Sequence, residues 1–173
     1  GILFNCEIEP FTDANVRWAM ALSLDIVKVA MDTFNGQMRV SPLEMPPTTY
    51  MMNAVHMPLR DWLVDYAFED GYKPFNKDYA LNIAEVLKDQ NIEGLPTEEK
   101  DLVDLFGIGW WKHDPAKATE MLEKAGLKKN DAGLWTWKDE VVTFEVMAPA
   151  DFEMQSNRLA YAYFTFTRDK ALT

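Results

Sequence analysis

Apolar residues recur at helical spacing along most of this chain, and the pattern begins close to its start. The longest stretch predicts a helix that starts at Thr12 or Asp13, either of which can cap it, and runs to about Met31. Only a narrow polar stripe interrupts its apolar surface, so we expect this helix to be buried on most sides. The positions at helical spacing are Val16, Ala19, Met20, Ser23, Val27 and Ala30.

Shorter stretches of the same character follow. They predict helices around Leu59–Phe68, from Asn76 to about Asn91, from Thr97 to Gly107 and from Asp151 to Phe164. The stretch Ser41–Pro58 contains several prolines, which lack a backbone N–H and interrupt helices, so we expect it to be mostly irregular.

The clearest helix begins at Asp114 and Pro115. Aspartate is a preferred cap, and proline suits the first helical turn because its missing N–H would be unpaired there in any case. Gly126 ends the helix at the position that favours a left-handed backbone. The predicted buried face consists of Ala118, Met121, Leu122 and Ala125.

Two regions predict strands. Residues Ile2–Ile8 are rich in strand formers and are closed off by Pro10. Near the other end, Leu134–Trp137 and Val141–Met147 flank the polar residues Lys138–Glu140, which indicates a hairpin. The order of strand, helices, hairpin and helix predicts a mixed α/β layout.

Charge and composition narrow the choice of partners. The 173 residues carry 17 Lys and Arg against 28 Asp and Glu, a net charge of −11, which would repel nucleic-acid phosphates. No apolar run is long enough to span a membrane, so we expect no membrane insertion. Cys6 is the single cysteine, and an intrachain disulfide is therefore impossible.

Residues that would carry chemistry are sparse. His56 and His113 lie far apart in sequence without other ligands at metal-binding spacing, so we interpret them as surface or half-buried histidines. No phosphate-binding glycine loop or serine nucleophile elbow is present. We therefore expect no cofactor, no metal site and no enzymatic activity. Among the aromatic residues, Trp18 and Trp62 are predicted core, and one of the adjacent Trp110 and Trp111 is expected at a surface.

Three stretches together resemble the peptide-, nickel- and oligosaccharide-binding class of bacterial solute-binding proteins. The first is Pro10–Asp25, which reads PFTDANVRWAMALSLD and follows Phe4 and Asn5. The second is Asp114–Gly126, which reads DPAKATEMLEKAG, and the third is the hairpin that ends in Thr143–Val146. The resemblance is poor from about Asn53 to Phe106.

The resemblance implies a ligand-binding component of an ABC importer that is periplasmic or otherwise extracytoplasmic. Its two lobes would close on a peptide, an oligosaccharide or a similar small solute and present it to an ABC permease. This chain would be a single domain over 1–173, part of the second lobe, with a helical insertion at about 53–106. Because the chain begins without a signal peptide, we expect it to be a mature fragment or an excised domain.

The fold that the resemblance implies is a mixed sheet flanked by helices, within one lobe of a two-lobed periplasmic-binding-protein fold. We expect the strands over Ile2–Ile8 and Val142–Val146 to share one sheet. The loop after the last strand then leads into the final helix, at the end of a strand where such folds meet ligands. The candidate ligand-binding residues are Phe152, Glu153, Gln155 and Asn157.

Other interpretations stay open at this point. The segment Asp151–Asn157 is better explained by an ordinary helix start, with Asp151 as the cap and Phe152 in the core. The unmatched segment Asn53–Phe106 is compatible with a helical protein-interaction module. A hydrolase whose catalytic groups meet only in the fold is the third possibility.

Overall fold

The computed structural model describes residues 3–143, 145–147 and 158–162. These residues belong to two compact units. The terminal unit combines the residues up to Asp25 with those from His113 onward, and the central unit is Ile26–Lys112. The central unit contains the whole segment 53–106, for which we predicted a helical insertion, and extends beyond it at both ends. That this segment is an insertion stays a prediction.

Helices dominate both units. They are α1 (Ala14–Leu22), α2 (Ile26–Phe34), α3 (Thr49–Met51), α4 (Met57–Asp65), α5 (Tyr79–Asp89), α6 (Glu99–Phe106) and α7 (Pro115–Lys124). A π-helical turn, Met52–His56, joins α3 to α4, and residues 158–162 are also helical. In the described part of the chain, no helix has the length and apolar character that a membrane crossing requires.

The strands are short and form two separate antiparallel sheets. In the central unit, β1 (Phe75–Asn76) pairs with β2 (Trp110–Trp111). In the terminal unit, β3 (Lys128–Lys129), β4 (Trp135–Trp137) and β5 (Glu140–Val141) are neighbours in that order. The combination of helices and small sheets confirms the α/β class in this general form, although the described strands do not form one mixed sheet.

The first predicted strand is wrong. Residues 3–8 form no strand, and the chain turns there, since the Ile8 amide donates to the Asn5 carbonyl at 3.3 Å. The described residues after Val141 form no strand either, so the sheet expected to join Ile2–Ile8 with Val142–Val146 is not found. A strand needs a backbone partner, and strand-forming side chains alone do not supply one.

The prediction of one long first helix is also wrong, because the structure has two helices there, α1 and α2. Asp13 caps α1 as predicted, accepting the Asn15 amide proton at 2.7 Å, but α1 ends at Leu22. The Leu22 carbonyl accepts a hydrogen bond from the Asp114 amide at 2.8 Å. The Ser23 hydroxyl meanwhile bonds back to the Ala19 carbonyl at 2.7 Å. Tertiary contact and local hydrogen bonding together end the helix here.

The core of the terminal unit lies between α1 and α7. Ala19 and Leu22 of α1 are fully buried, and Ala118 and Leu122 are buried on α7. Trp135 of β4 is buried as well, so the hairpin contributes to the same apolar core. The predicted buried face of the Asp114 helix is confirmed. The hairpin is confirmed around its turn, but its second strand is Glu140–Val141, and the described residues after Val141 do not continue it.

In the central unit, Arg60 of α4 connects three segments. Its guanidinium donates to the carbonyls of Ile108 at 3.3 Å and Lys77 at 3.2 Å, and to the Glu99 carboxylate at 3.0 Å. Tyr79 is fully buried, and its hydroxyl donates to the Met38 carbonyl at 3.4 Å. Burial raises the pKa of the Tyr79 hydroxyl far above its ordinary value, so the side chain stays neutral.

The stretch Ser41–Pro58 is only partly irregular. Helical structure begins at Thr49, whose preceding residue Thr48 caps it by accepting the Met51 amide proton at 3.3 Å. Pro58 does not end the helix, because it lies in the first turn of α4, where a missing N–H is tolerated. The predictions for α5, α6 and α7 agree with the structure apart from small shifts at their ends.

Replacing Asp114 by alanine should lower the free energy of unfolding by about 1 kcal/mol, because it removes the cap of α7. The Asp114 carboxylate accepts the Lys117 amide proton at 2.9 Å, and alanine cannot replace that bond. Chemical denaturation of the variant checks this value. Asp114→Asn retains the capping oxygen and is the matched control, so an equal loss in both variants would contradict the capping role.

Candidate functional site

The four predicted ligand-binding residues lie outside the described part of the chain. They are Phe152, Glu153, Gln155 and Asn157. Their role therefore stays a prediction, and so does the alternative in which Asp151 caps an ordinary helix.

The terminal unit contains an apolar cavity of about 50 Å³ between α1, α7 and the hairpin. Its lining residues are Phe11, Val16, Met20, Leu122, Leu127, Trp135 and Val142. Sites for small-molecule ligands usually measure about 300–1,000 Å³, so a peptide or a sugar does not fit here. This cavity is a packing feature of the core.

The residues that carry the resemblance near the start of the chain have structural roles. Asp13 caps α1, and the Arg17 guanidinium donates to the backbone carbonyls of Phe11 and Thr12. These bonds fix the turn that precedes α1. The motif therefore shapes the loop and the helix start, and no described contact gives it a binding role.

The two histidines belong to different units. His113 Nδ1 lies 3.7 Å from a carboxylate oxygen of Asp25, and both side chains are about one-third exposed. His56, in contrast, is fully buried, so its interpretation as a surface or half-buried residue was wrong. Within the described ranges, no three His, Cys, Asp or Glu side chains are grouped closely enough to hold a metal ion.

His56 is held by one side-chain hydrogen bond. Its Nδ1 lies 2.7 Å from the hydroxyl of Ser41, and that hydroxyl also accepts the Leu43 amide proton at 3.2 Å. The other ring nitrogen, Nε2, is buried and has no hydrogen-bond partner among the described residues.

The Ser41–His56 pair does not support the hydrolase alternative. In a nucleophile–base pair, the second ring nitrogen is oriented by a further group, commonly a carboxylate. Here that nitrogen has no such partner in the described residues, and Ser41 is only 9% exposed. Little of the serine is therefore exposed to a substrate in this conformation.

Aromatic side chains form a strip on the central unit. Ring centroids are 5.4 Å apart for Trp62 and Tyr66, 6.0 Å for Tyr66 and Phe68, and 5.6 Å for Phe68 and Tyr72. Trp62 is 58% exposed, which overturns its assignment to the core. Trp62 lies on an amphipathic segment, as predicted, but the buried residue of that helix, α4, is Leu63.

The adjacent tryptophans of β2 are both half-buried. Trp111 packs edge-on against Phe75 of the facing strand, with ring centroids 6.2 Å apart. The indole nitrogen of Trp110 is buried without a hydrogen-bond partner among the described residues. Both side chains are therefore partly at the surface, where one of them was expected.

Comparison of the chain with protein-family models, curated proteins and solved structures gives no match.

Proposed function

We propose that this chain is a ligand-binding part of an extracytoplasmic solute-binding protein that captures a peptide, an oligosaccharide or a similar small solute for an ABC importer. The proposal rests on the sequence resemblance and on one structural observation. The two helical stretches that carry the resemblance, Pro10–Asp25 and Asp114–Gly126, pack against each other in the terminal unit.

The contacts between these stretches are specific. The Asp114 amide donates to the Leu22 carbonyl at 2.8 Å, so the cap of α7 is bonded to the end of α1. At the neighbouring residues, His113 Nδ1 lies 3.7 Å from a carboxylate oxygen of Asp25. The intervening residues Ile26–Lys112 form a compact unit of their own. This arrangement supports an insertion between the two stretches that resemble the solute-binding proteins.

The proposed mechanism is binding without covalent chemistry. Closure of two lobes would exclude water around the solute, and an ABC permease would then receive it. In this account, Phe152 offers a stacking surface, while Glu153, Gln155 and Asn157 offer hydrogen bonds to the ligand. The location that this function implies is periplasmic or otherwise extracytoplasmic.

A helical protein-interaction module is the second candidate, and the aromatic strip of the central unit favours it. Trp62 is exposed, and Leu59 and Tyr50 are large apolar side chains that also face solvent. Aromatic residues are enriched at the centres of protein interfaces. This function would belong to the central unit, so it is compatible with solute binding elsewhere in the protein.

A thermal-unfolding screen of the full-length protein tests the leading proposal. The probes are short peptides of defined length and neutral oligosaccharides. A ligand that binds only the folded state should raise the unfolding midpoint by a few degrees at about 100 times its dissociation constant. The double variant Phe152→Ala with Asn157→Ala should lose the shift, whereas Glu123→Gln on the exposed side of α7 should keep it. The absence of a shift with every probe would contradict the proposal.

A further inference from the structure

The aromatic strip of the central unit presents apolar ring surface to solvent. Trp62 is 58% exposed, and the other three rings, Tyr66, Phe68 and Tyr72, are half-buried. Successive ring contacts link Trp62 to Tyr72, so the strip is one patch and not a set of scattered side chains. A contiguous apolar patch with a polar rim is typical of an interaction site.

Negative charge accompanies the strip. Asp61 precedes Trp62 on α4, and Asp65 follows Trp62 by three residues, a spacing that makes two helical residues neighbours. Asp61 and Asp65 are both exposed and lie one helical turn apart, so two like charges repel each other beside the tryptophan. The loop that joins the last two rings adds the exposed Glu69 and Asp70. A cation at the strip would relieve this repulsion.

Basic side chains are few in this part of the chain. Arg60 is the one Lys or Arg between residues 45 and 72, and its guanidinium is bonded to the Glu99 carboxylate and to two backbone carbonyls. Lys73 lies 3.2 Å from a carboxylate oxygen of Asp65, but both side chains are more than half exposed, and such surface pairs contribute little. The segment that carries the strip is therefore net negative.

One ring of the strip already has a cation over it. Lys112 Nζ lies 5.4 Å from the ring centroid of Tyr72, within the range of about 6 Å over which a cation is attracted to an aromatic face. Tryptophan attracts cations more strongly than tyrosine, and arginine is the cation found most often in such contacts. Trp62, at the other end of the series of ring contacts, is therefore the ring best suited to a cation from outside.

We propose that the aromatic strip binds an arginine-containing basic segment of a partner protein, with a guanidinium stacked on Trp62 and further cations beside Asp61 and Glu69. Such a partner presupposes the protein-interaction function proposed for the central unit. Four rings in successive contact offer more surface than one small cation covers, which favours an extended segment over a free amine. The net charge of −11 disfavours a second copy of this chain as the occupant.

Fluorescence anisotropy of labelled peptides tests this site on the intact chain, in about 0.15 M salt, where exposed charges more than about 8 Å apart are largely screened. One peptide alternates glycine with arginine, and the other has citrulline, a neutral isostere, at every arginine. We expect the arginine peptide to bind at least about tenfold more tightly. Trp62→Leu should weaken its binding by about 3–30-fold, because the aromatic face is lost. Asp61→Asn should weaken it by about two- to fivefold.

Glu93→Gln is the matched control for Asp61→Asn, because it removes an equal charge from another exposed position of the same unit. Its effect on binding should stay below about twofold. Equal losses in these two variants would show a general attraction to an acidic protein and overturn the proposal. Circular dichroism establishes that each variant is folded, and the exposure of Trp62 means that its replacement leaves the core intact.

Three further outcomes overturn the inference. The first is that neither peptide binds, and the second is that Trp62→Leu binds the arginine peptide as tightly as the parent chain. The third is that the arginine and citrulline peptides bind equally and both lose affinity in Trp62→Leu. That last result would remove the need for a cation while leaving the strip as a protein-interaction surface, so it separates this inference from the function on which it rests.

Discussion

Alanine at position 107 is expected to lower the free energy of unfolding by more than about 3 kcal/mol, since it combines backbone strain with a steric clash. Gly107 ends α6 with φ of 101° and ψ of 173°, a region of backbone space that is essentially restricted to glycine. An added Cβ would also overlap the carbonyl oxygen of Val40 and lie 2.7 Å from the Val40 amide nitrogen. Backbone atoms cannot move aside as a flexible side chain can, so the bridge between Val40 and Gly107 would break.

Gly94→Ala is the matched control in the same unit. Gly94 also has a positive φ, of 79°, but an added Cβ there would meet no atom within 4 Å. Its substitution should therefore cost only about 1–2 kcal/mol, the strain of a left-handed residue. Chemical denaturation of both variants gives the comparison. Similar losses in the two variants would show that Val40 and Gly107 are not in close contact.

Replacement of Trp135 by alanine should lower the free energy of unfolding by about 3–5 kcal/mol. Trp135 is 3% exposed and, with Leu122 and Leu127, lines the cavity of the terminal unit. Removing the indole would enlarge a cavity that already measures about 50 Å³, and the lost contacts add to the loss of buried apolar area.

Thr136→Ala, at the next residue of the same strand, is the control for Trp135. Thr136 donates a hydrogen bond to the Lys128 carbonyl at 2.9 Å on the exposed side of the hairpin. The loss of this bond should cost about 1 kcal/mol or less. A Trp135→Ala variant as stable as Thr136→Ala would contradict the packing of the hairpin on α1 and α7.

Local signals in the sequence predicted the later helices well. The ends of α7 follow from Asp114, Pro115 and Gly126, each of which acts through its own backbone and nearest neighbours. The hairpin turn follows from the polar residues Lys138–Glu140 between two strand-forming stretches, and Lys138 and Asp139 adopt a positive φ there. Such features depend on few residues, so they can be predicted before the fold is known.

Features that depend on distant contacts could not be predicted in this way. The end of α1 depends on the Asp114 amide, which lies far along the chain from Leu22. The pairing of Ser41 with His56 joins an irregular segment to a helix, and no local pattern indicates it. Trp62 lies on an amphipathic segment, which predicts a core position, but the face of α4 that packs inward is set by tertiary contacts.

Recovery of the bound solute tests the central proposal most directly. The full-length protein is incubated with a slight excess of a ligand from the thermal screen, separated from free solute, and denatured, and the released molecule is identified by mass spectrometry. The account predicts about one equivalent of chemically unchanged solute per protein. Recovery of a cleaved or otherwise altered molecule would contradict a binding function and favour the hydrolase alternative.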